Sequence, residues 1–345
     1  MEDESKKREK LKFNDIQKLS QFIENKHNPI LTGEIGFAGY RMDKILKEYA
    51  NFPLDENIHA FFEHGIIFTD FMSTSFRNHE YLPSIVASKY RKNVLKKEKY
   101  YSKVYTIGPY IHYANSLLKE DELKAEKERL GKTLLVFPNH SVDGLIIDFD
   151  YNTFIQKINE ISKDFDSVRI CMYYKDVLLG RAKPYKNEGF EVVTAGHGND
   201  YNFIKRLKSI ILTSDMTMSN GIGSHLGYCI YLNKPHFLYQ LDEITHKAEN
   251  HSNENAELLV KDHDRKDEIM NKNQNVINIK REFTEYGEKI TKSQYDLMNY
   301  LWGFDEVKTP IELNEIFNEI NNNHSQFKYY LSGLIRLKDL IKYGR

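Results

Sequence analysis

Between residues 133 and 239 short apolar runs recur, each followed by a polar turn and then by a stretch of helical period. Thr133 to Phe137 reads as a strand that breaks at Pro138-Asn139-His140-Ser141, and a helix follows from Tyr151 to Ser162. Ser167 to Tyr173 and Phe190 to Thr194 are the next strands, the second ending on Ala195-Gly196-His197-Gly198, and Asn202 to Lys208 is helical. Ile210 to Thr213 and Met216 to Met218 read as short extended pieces around Ser214-Asp215. Leu226 to Leu232 is a helix stopped by Asn233 and Pro235, and His236 to Tyr239 is a last strand. A chain that alternates in this way buries each strand run under helices and forms an open parallel sheet. The pattern predicts a doubly wound α/β domain over residues 131–240.

The first half carries a shorter version of the same pattern. Ile16, Leu19, Phe22 and Ile23 sit at helical spacing, and Gly33, Gly36 and Gly39 read as a loop, because their order is not that of a dinucleotide fingerprint. Ile58 to Glu63 is a strand opening at His64-Gly65. Ser84 to Ala87, a basic helix from Lys89 to Lys99 capped by Ser88, and Lys103 to Ile107 make a strand-helix-strand unit. Residues 13–120 therefore read as an N-terminal α/β domain, with the charged stretch Lys119 to Arg129 as connector. Residues 241–288, rich in Asn, Lys, Asp, Glu and His, read as a polar loop or a weakly packed helix. Residues 289–345 regain helical period through Tyr295, Met298, Leu301 and Trp302 and are expected to pack back on both domains as helices.

Charge excludes one class of partner. The 345 residues hold 49 Lys+Arg against 50 Asp+Glu, so the overall cationic field of a protein that tracks nucleic acid is missing and no nucleic-acid partner is expected. Two cysteines, Cys171 and Cys229, each within an apolar segment, make neither a disulfide framework nor a zinc knuckle. His246, His251 and His263 lack the tight spacing of a ligand set, and no metal is expected. The charged N-terminus has no apolar leader and no apolar run is long enough to span a bilayer, which points to a cytoplasmic protein.

The strongest chemical signal is Ser219-Asn220-Gly221-Ile222-Gly223-Ser224-His225-Leu226-Gly227-Tyr228. Glycines permit a tight turn, and the first amides of the following helix then face outward with the positive end of the helix dipole, a seat for phosphate. Ser219, Asn220 and Ser224 would add hydroxyl and amide groups. Alternatively, Ser224 simply caps a helix and the glycines simply turn. Context favours a site, because three strand ends of one sheet carry polar groups: Asn139, His140 and Ser141; then His197 and Asp200; then Ser219, Asn220, Gly223, Ser224 and His225. In an open parallel sheet such ends line one crevice.

Residues 58 to 239 resemble the GT-B-type glycosyltransferases of bacterial capsule, O-antigen and teichoic-acid polysaccharide synthesis. The resemblance lies in Glu63-His64-Gly65 after a strand, in Ser88-x-x-Arg91 before Tyr105-x-Ile107-Gly108-Pro109-Tyr110, and in the run from Ser214-Asp215 through Lys234-Pro235. It implies two Rossmann-like α/β domains facing a cleft. The C-terminal one would hold a nucleotide-sugar donor and the N-terminal one would present a glycan or lipid-linked acceptor. No cofactor beyond the donor substrate is implied, and the reaction would be metal-independent. The ribose-binding Glu common in the family is absent, which leaves the donor base unassigned. The alternatives are a nucleotide-sugar epimerase, a polyol-phosphate transferase and a non-catalytic nucleotide-sugar-binding protein. A base must take the acceptor proton. His64 is the candidate, since histidine titrates near neutrality, with Glu63 and Asp70 as alternatives. The basic, aromatic segment Lys89 to Tyr101 could lie on an anionic bilayer, giving peripheral contact at the inner face of the membrane, or could be a solvated helix face.

Overall fold

The computed structural model describes residues 7–24, 33–37, 39–63, 65–72, 74–142, 144–241, 244–249 and 254–323. They fall into two compact α/β units that do not follow chain order. One comprises Met1–Glu24 and Ala114–Asn299, the other Asn25–Tyr113 and Tyr300–Arg345. No described helix is long and apolar enough to cross a membrane.

The smaller unit holds β1 (Glu34–Ile35), β2 (Ala60–Phe62), β3 (Ser84–Val86) and β4 (Val104–Thr106), paired in that order. All pairings are parallel, with Glu34 opposite Ala60, Phe61 opposite Ser84 and Ile85 opposite Tyr105. Every residue of β2, β3 and β4 is buried, which is why these strands read as continuous apolar runs rather than alternating ones. The expected crossover between β3 and β4 is the helix Lys89–Lys97. Ser88 holds an extended backbone and its hydroxyl accepts the Arg91 amide at 3.3 Å, so the helix starts where the cap residue stands. Tyr90, Arg91, Val94 and Leu95 face inward. Lys92, Lys96 and Lys97 face solvent, Tyr101 beyond them is 85% exposed, and Lys89 pairs with Glu306. The helix Pro310–Asn323 belongs to this unit and buries Leu313, Phe317 and Ile320. Phe317 meets Phe52 edge-on, and Asn314 and Asn321 bond the carbonyls of Ala50 and Asn57. Gly303 lets the chain pass close to the sheet. Its φ is +68°, and a Cβ there would stand 2.6 Å from the Ala87 carbonyl oxygen.

In the larger unit β5 (Thr133–Phe137), β6 (Leu145–Phe149), β7 (Ser167–Cys171), β8 (Glu191–Val193), β9 (Met216–Ser219), β10 (His236–Leu238) and β11 (Ile244–Ala248) make two sheets. The main sheet is parallel throughout, in the order β10-β9-β5-β7-β8. Leu134, Val136, Ile170, Met216 and Met218 from its strands pack on Phe154, Ile155 and Ile158 of the helix Tyr151–Ile161. Each such side chain contributes roughly 1.5–3 kcal/mol by leaving water. Residues 7–24 run past the β8 edge, where the Thr194 and His197 amides bond the carbonyls of Phe13 and Leu19, both at 3.0 Å. Covering an open edge in this way removes a template for aggregation.

Three stretches differ from the sequence expectation. Ile210 to Leu212 continue the helix Phe203–Leu212 instead of extending, because Ile204, Leu207, Ile210 and Ile211 form one buried helical face. Strands β6 and β11 pair antiparallel as a separate ribbon, with Leu145 opposite Ala248 and Phe149 opposite Ile244. The polar stretch 241–288 holds β11 and the helices Glu254–Lys272 and Gln274–Phe283. The second of these is anchored by Val276, Ile279 and Phe283 at helical spacing.

Candidate functional site

Strands β5 and β9 are neighbours, with Val136 opposite Met218 and Phe137 opposite Ser219. From β5 the chain winds outward to β7 and β8; from β9 it winds the other way to β10. Their carboxyl ends therefore flank the topological switch point, where open α/β sheets leave a crevice for a ligand. Two segments meet there. The Asn139 amide donates to Asn220 Oδ1 at 2.6 Å, and a Cβ on Gly221 would come within 3.1 Å of Asn139 Cγ, so a glycine keeps the approach open.

The helix Ser224–Tyr231 starts at this point. Its cap position is Gly223, extended and with no side-chain cap bond, so Ser224 is the first helical residue and not the cap. Gly223, having no side chain, puts no cap over the opening amides. Asn220 is 3% exposed, and because Oδ1 accepts the Asn139 amide, the amide nitrogen Nδ2 is the group that faces no partner. His225 stacks on Phe137 with centroids 4.9 Å apart, and its Nε2 is likewise closed from solvent without a partner. Burial first, and the neighbouring His140 second, hold the His225 pKa down at about 3, so the ring is neutral at physiological pH. A helix start carries about half a positive charge and prefers an anion, and Asn220 Nδ2 and His225 Nε2 beside it keep unfilled hydrogen-bonding capacity.

The other sequence candidates are placed as follows. His140 lies beside Asn139, its ring 4.4 Å from that of Tyr173, and its Nδ1 donates to the Ser141 carbonyl at 3.2 Å. Burial lowers its pKa. Ser141 is fully buried: its amide and hydroxyl both donate to Asp176 at 2.9 Å, and its oxygen accepts from Arg181 and from the Ile147 amide. It pins the loop and does not face the crevice. Glu249 holds the same loop from beyond β11, taking the Gly144 amide at 3.1 Å and Lys175 at 2.6 Å. His197 and Asp200 follow β8, two strands away from β5. Asp200 pairs with Arg206 at 3.2 Å, both side chains 0% exposed, and accepts the Asn202 amide. The His197 ring packs on Tyr174, 4.2 Å away. Ser219, 0% exposed, turns its hydroxyl to the Gly221 carbonyl and to His236.

In the smaller unit His64 lies outside the described residues, and Asp70 is exposed. Glu63 is 1% exposed and bonds Arg91 Nε at 2.6 Å. Burial pushes its carboxyl up to about 7 against the pull of Arg91. Arg91 also donates to the Thr69 and Phe71 carbonyls, and the Tyr110 hydroxyl to that of Glu63, so this pair pins the loop after β2.

Sequence reasoning missed Asp176, Arg181 and His236. A histidine opening an apolar strand next to the strand of Ser219 was the signal for the last; nothing local pointed to the first two. A cavity of about 760 Å³ opens between Leu130, Ser167 and Phe190, at the amino ends of β5, β7 and β8, opposite the crevice end where parallel sheets take ligands. Among the described residues no three His, Cys, Asp or Glu side chains gather as a metal set.

Fold and topology define two Rossmann-like α/β units, one of them with a topological switch point between β5 and β9. No family model matches the chain, and no curated protein matches it. It is similar to two solved structures of the wall teichoic acid polymerase TagF, one of them carrying a histidine-to-alanine substitution. Identities are 15% and 13%, with 82% and 84% of this chain and 69% and 70% of theirs covered. The TM-score is 0.36 for both.

Proposed function

We propose that this protein is a glycosyltransferase that moves a sugar from a nucleotide-activated donor to a glycan or lipid-linked acceptor in surface-polysaccharide synthesis. The observation that carries the reading is the uncapped start of the Ser224–Tyr231 helix at the switch point, flanked by the unfilled Asn220 Nδ2 and His225 Nε2. Sugar transfer from such a donor releases a nucleoside phosphate, and fixed amide dipoles stabilise the charge that gathers on the leaving group. A neutral His225 can donate to or accept from such a group without carrying a buried charge. His64 is assigned the acceptor proton on its residue type and on the family resemblance.

A panel of UDP, GDP, CDP, ADP and CMP tests the reading by thermal shift. One of them is expected to raise the melting temperature, since a ligand that binds the folded state alone stabilises it by mass action. Asn220→Asp keeps the acceptor for Asn139 and adds a negative charge beside the anion, so it should weaken that nucleotide at least about tenfold and also lower the unliganded melt, because the new charge is buried without a partner. His64→Ala should abolish sugar transfer, followed by mass spectrometry, and spare binding. A melt unmoved by every nucleotide refutes the proposal.

A further inference from the structure

His236 opens β10 and is 2% exposed, beneath the Asn220 to Gly223 loop. Both ring nitrogens meet hydroxyls: Nδ1 lies 2.8 Å from Thr217 Oγ1, and Nε2 lies 2.9 Å from Ser219 Oγ. Each hydroxyl also lies within reach of a carbonyl, Thr217 of Pro235 at 3.0 Å and Ser219 of Gly221 at 2.8 Å. If both hydroxyls gave their protons to those carbonyls, both ring nitrogens would have to be donors and the ring would be charged. Burial holds the ring neutral, its pKa well below the ordinary value. One N–H is therefore available, and one hydroxyl must turn its proton to the ring.

The two choices are not equal. Pro235 keeps the Thr217 backbone amide at 2.8 Å whatever the Thr217 hydroxyl does. The Gly221 carbonyl has the Ser219 hydroxyl as its one donor among the described residues. The arrangement that satisfies both carbonyls puts the proton on Nε2. The ring then donates to Ser219, Ser219 donates to Gly221, and Thr217 donates to Nδ1. No peptide among the described residues is cis, and in a trans peptide the carbonyl and the next amide point in opposite directions. Drawing the Gly221 carbonyl back to Ser219 turns the Ile222 amide away from β9.

We infer that His236 acts through Ser219 as a positioning residue, locking the Gly221–Ile222 peptide so that the Ile222 amide faces the anion; this rests on the anion seat proposed above. Ser219 itself then does not meet the ligand.

Nitrogen-15 NMR of the histidine rings in the full chain near neutral pH, with inorganic pyrophosphate as probe, tests this. Without ligand His236 should show a protonated Nε2 and a bare Nδ1; the opposite tautomer overturns the inference. On adding pyrophosphate the Ile222 amide should shift and the His236 ring signals should stay; ring signals that move as far mean that Ser219 meets the anion directly, which also overturns it. Ser219→Ala should lower pyrophosphate affinity about tenfold, and Thr217→Val, which removes the other hydroxyl from the same ring, less than about twofold. Equal losses would mark a general disturbance of β9 and refute the assignment. A parent protein that ignores pyrophosphate refutes the anion seat, while the ring tautomer, read without ligand, still decides the lock.

Discussion

Replacing His225 by Phe should make the larger unit less sensitive to acid. A histidine whose pKa falls on folding stabilises the fold above its unfolded value, and that contribution drains away as pH drops from there toward the folded value. For His225 the window runs from 6.5 down to about 3. At pH 5 the unfolded ring is almost fully protonated and the folded ring is not. The gap of about 1.5 pH units, at about 1.36 kcal/mol per unit, costs the fold about 2 kcal/mol. At pH 7 the same term is about 0.2 kcal/mol. Phe keeps the stack on Phe137 and carries no proton, so the variant escapes the loss. Calorimetric melting of parent and variant at both pH values reads the effect. In a unit of this size about 2 kcal/mol corresponds to roughly 4–8 °C, by which the variant should gain on the parent between pH 7 and pH 5. Melting temperatures that fall in parallel would show that His225 is not buried neutral and would remove the basis for its place in the site.

Two further outcomes follow from buried contacts. Asp200→Ala should strand the Arg206 guanidinium, 0% exposed, and cost about 3–5 kcal/mol in thermal or urea unfolding; a loss below about 1 kcal/mol would contradict a closed pair. Gly303→Ala should cost about 1–3 kcal/mol, from the φ of +68° and the Ala87 carbonyl in its path. The chain's one tryptophan, Trp302, is buried next to it and reports the transition by fluorescence; an unchanged midpoint would refute the tight approach.

Local signals were legible and distant pairings were not. Ser88 announced its helix because the cap bond spans three residues, and the strand ends at Asn139 and Asn220 announced themselves because polar residues interrupt apolar runs. Asp200 reads from sequence like a ligand contact at a strand end, yet it is consumed by an arginine six positions on, a pairing that spacing alone does not show. Ser141 looks equally available and is spent on Asp176. The β6–β11 ribbon joins Leu145 to Ala248, and Asp148, His246 and Lys247 dilute the apolar alternation that would have marked either strand. Ile210 to Leu212 were ambiguous because a short apolar run suits strand and helix alike, and the helix face begun at Ile204 decides it.

The interleaving of the two units has a consequence for synthesis. The segment around Phe52 and Asn57 leaves the ribosome early, whereas Phe317 and Asn321, which close over it, are translated after the whole main sheet of the other unit. The smaller unit must wait, half-covered, while its neighbour is made and folds. A nascent chain arrested near residue 300 would hold a completed larger sheet and, in the smaller unit, an apolar surface open to chaperones.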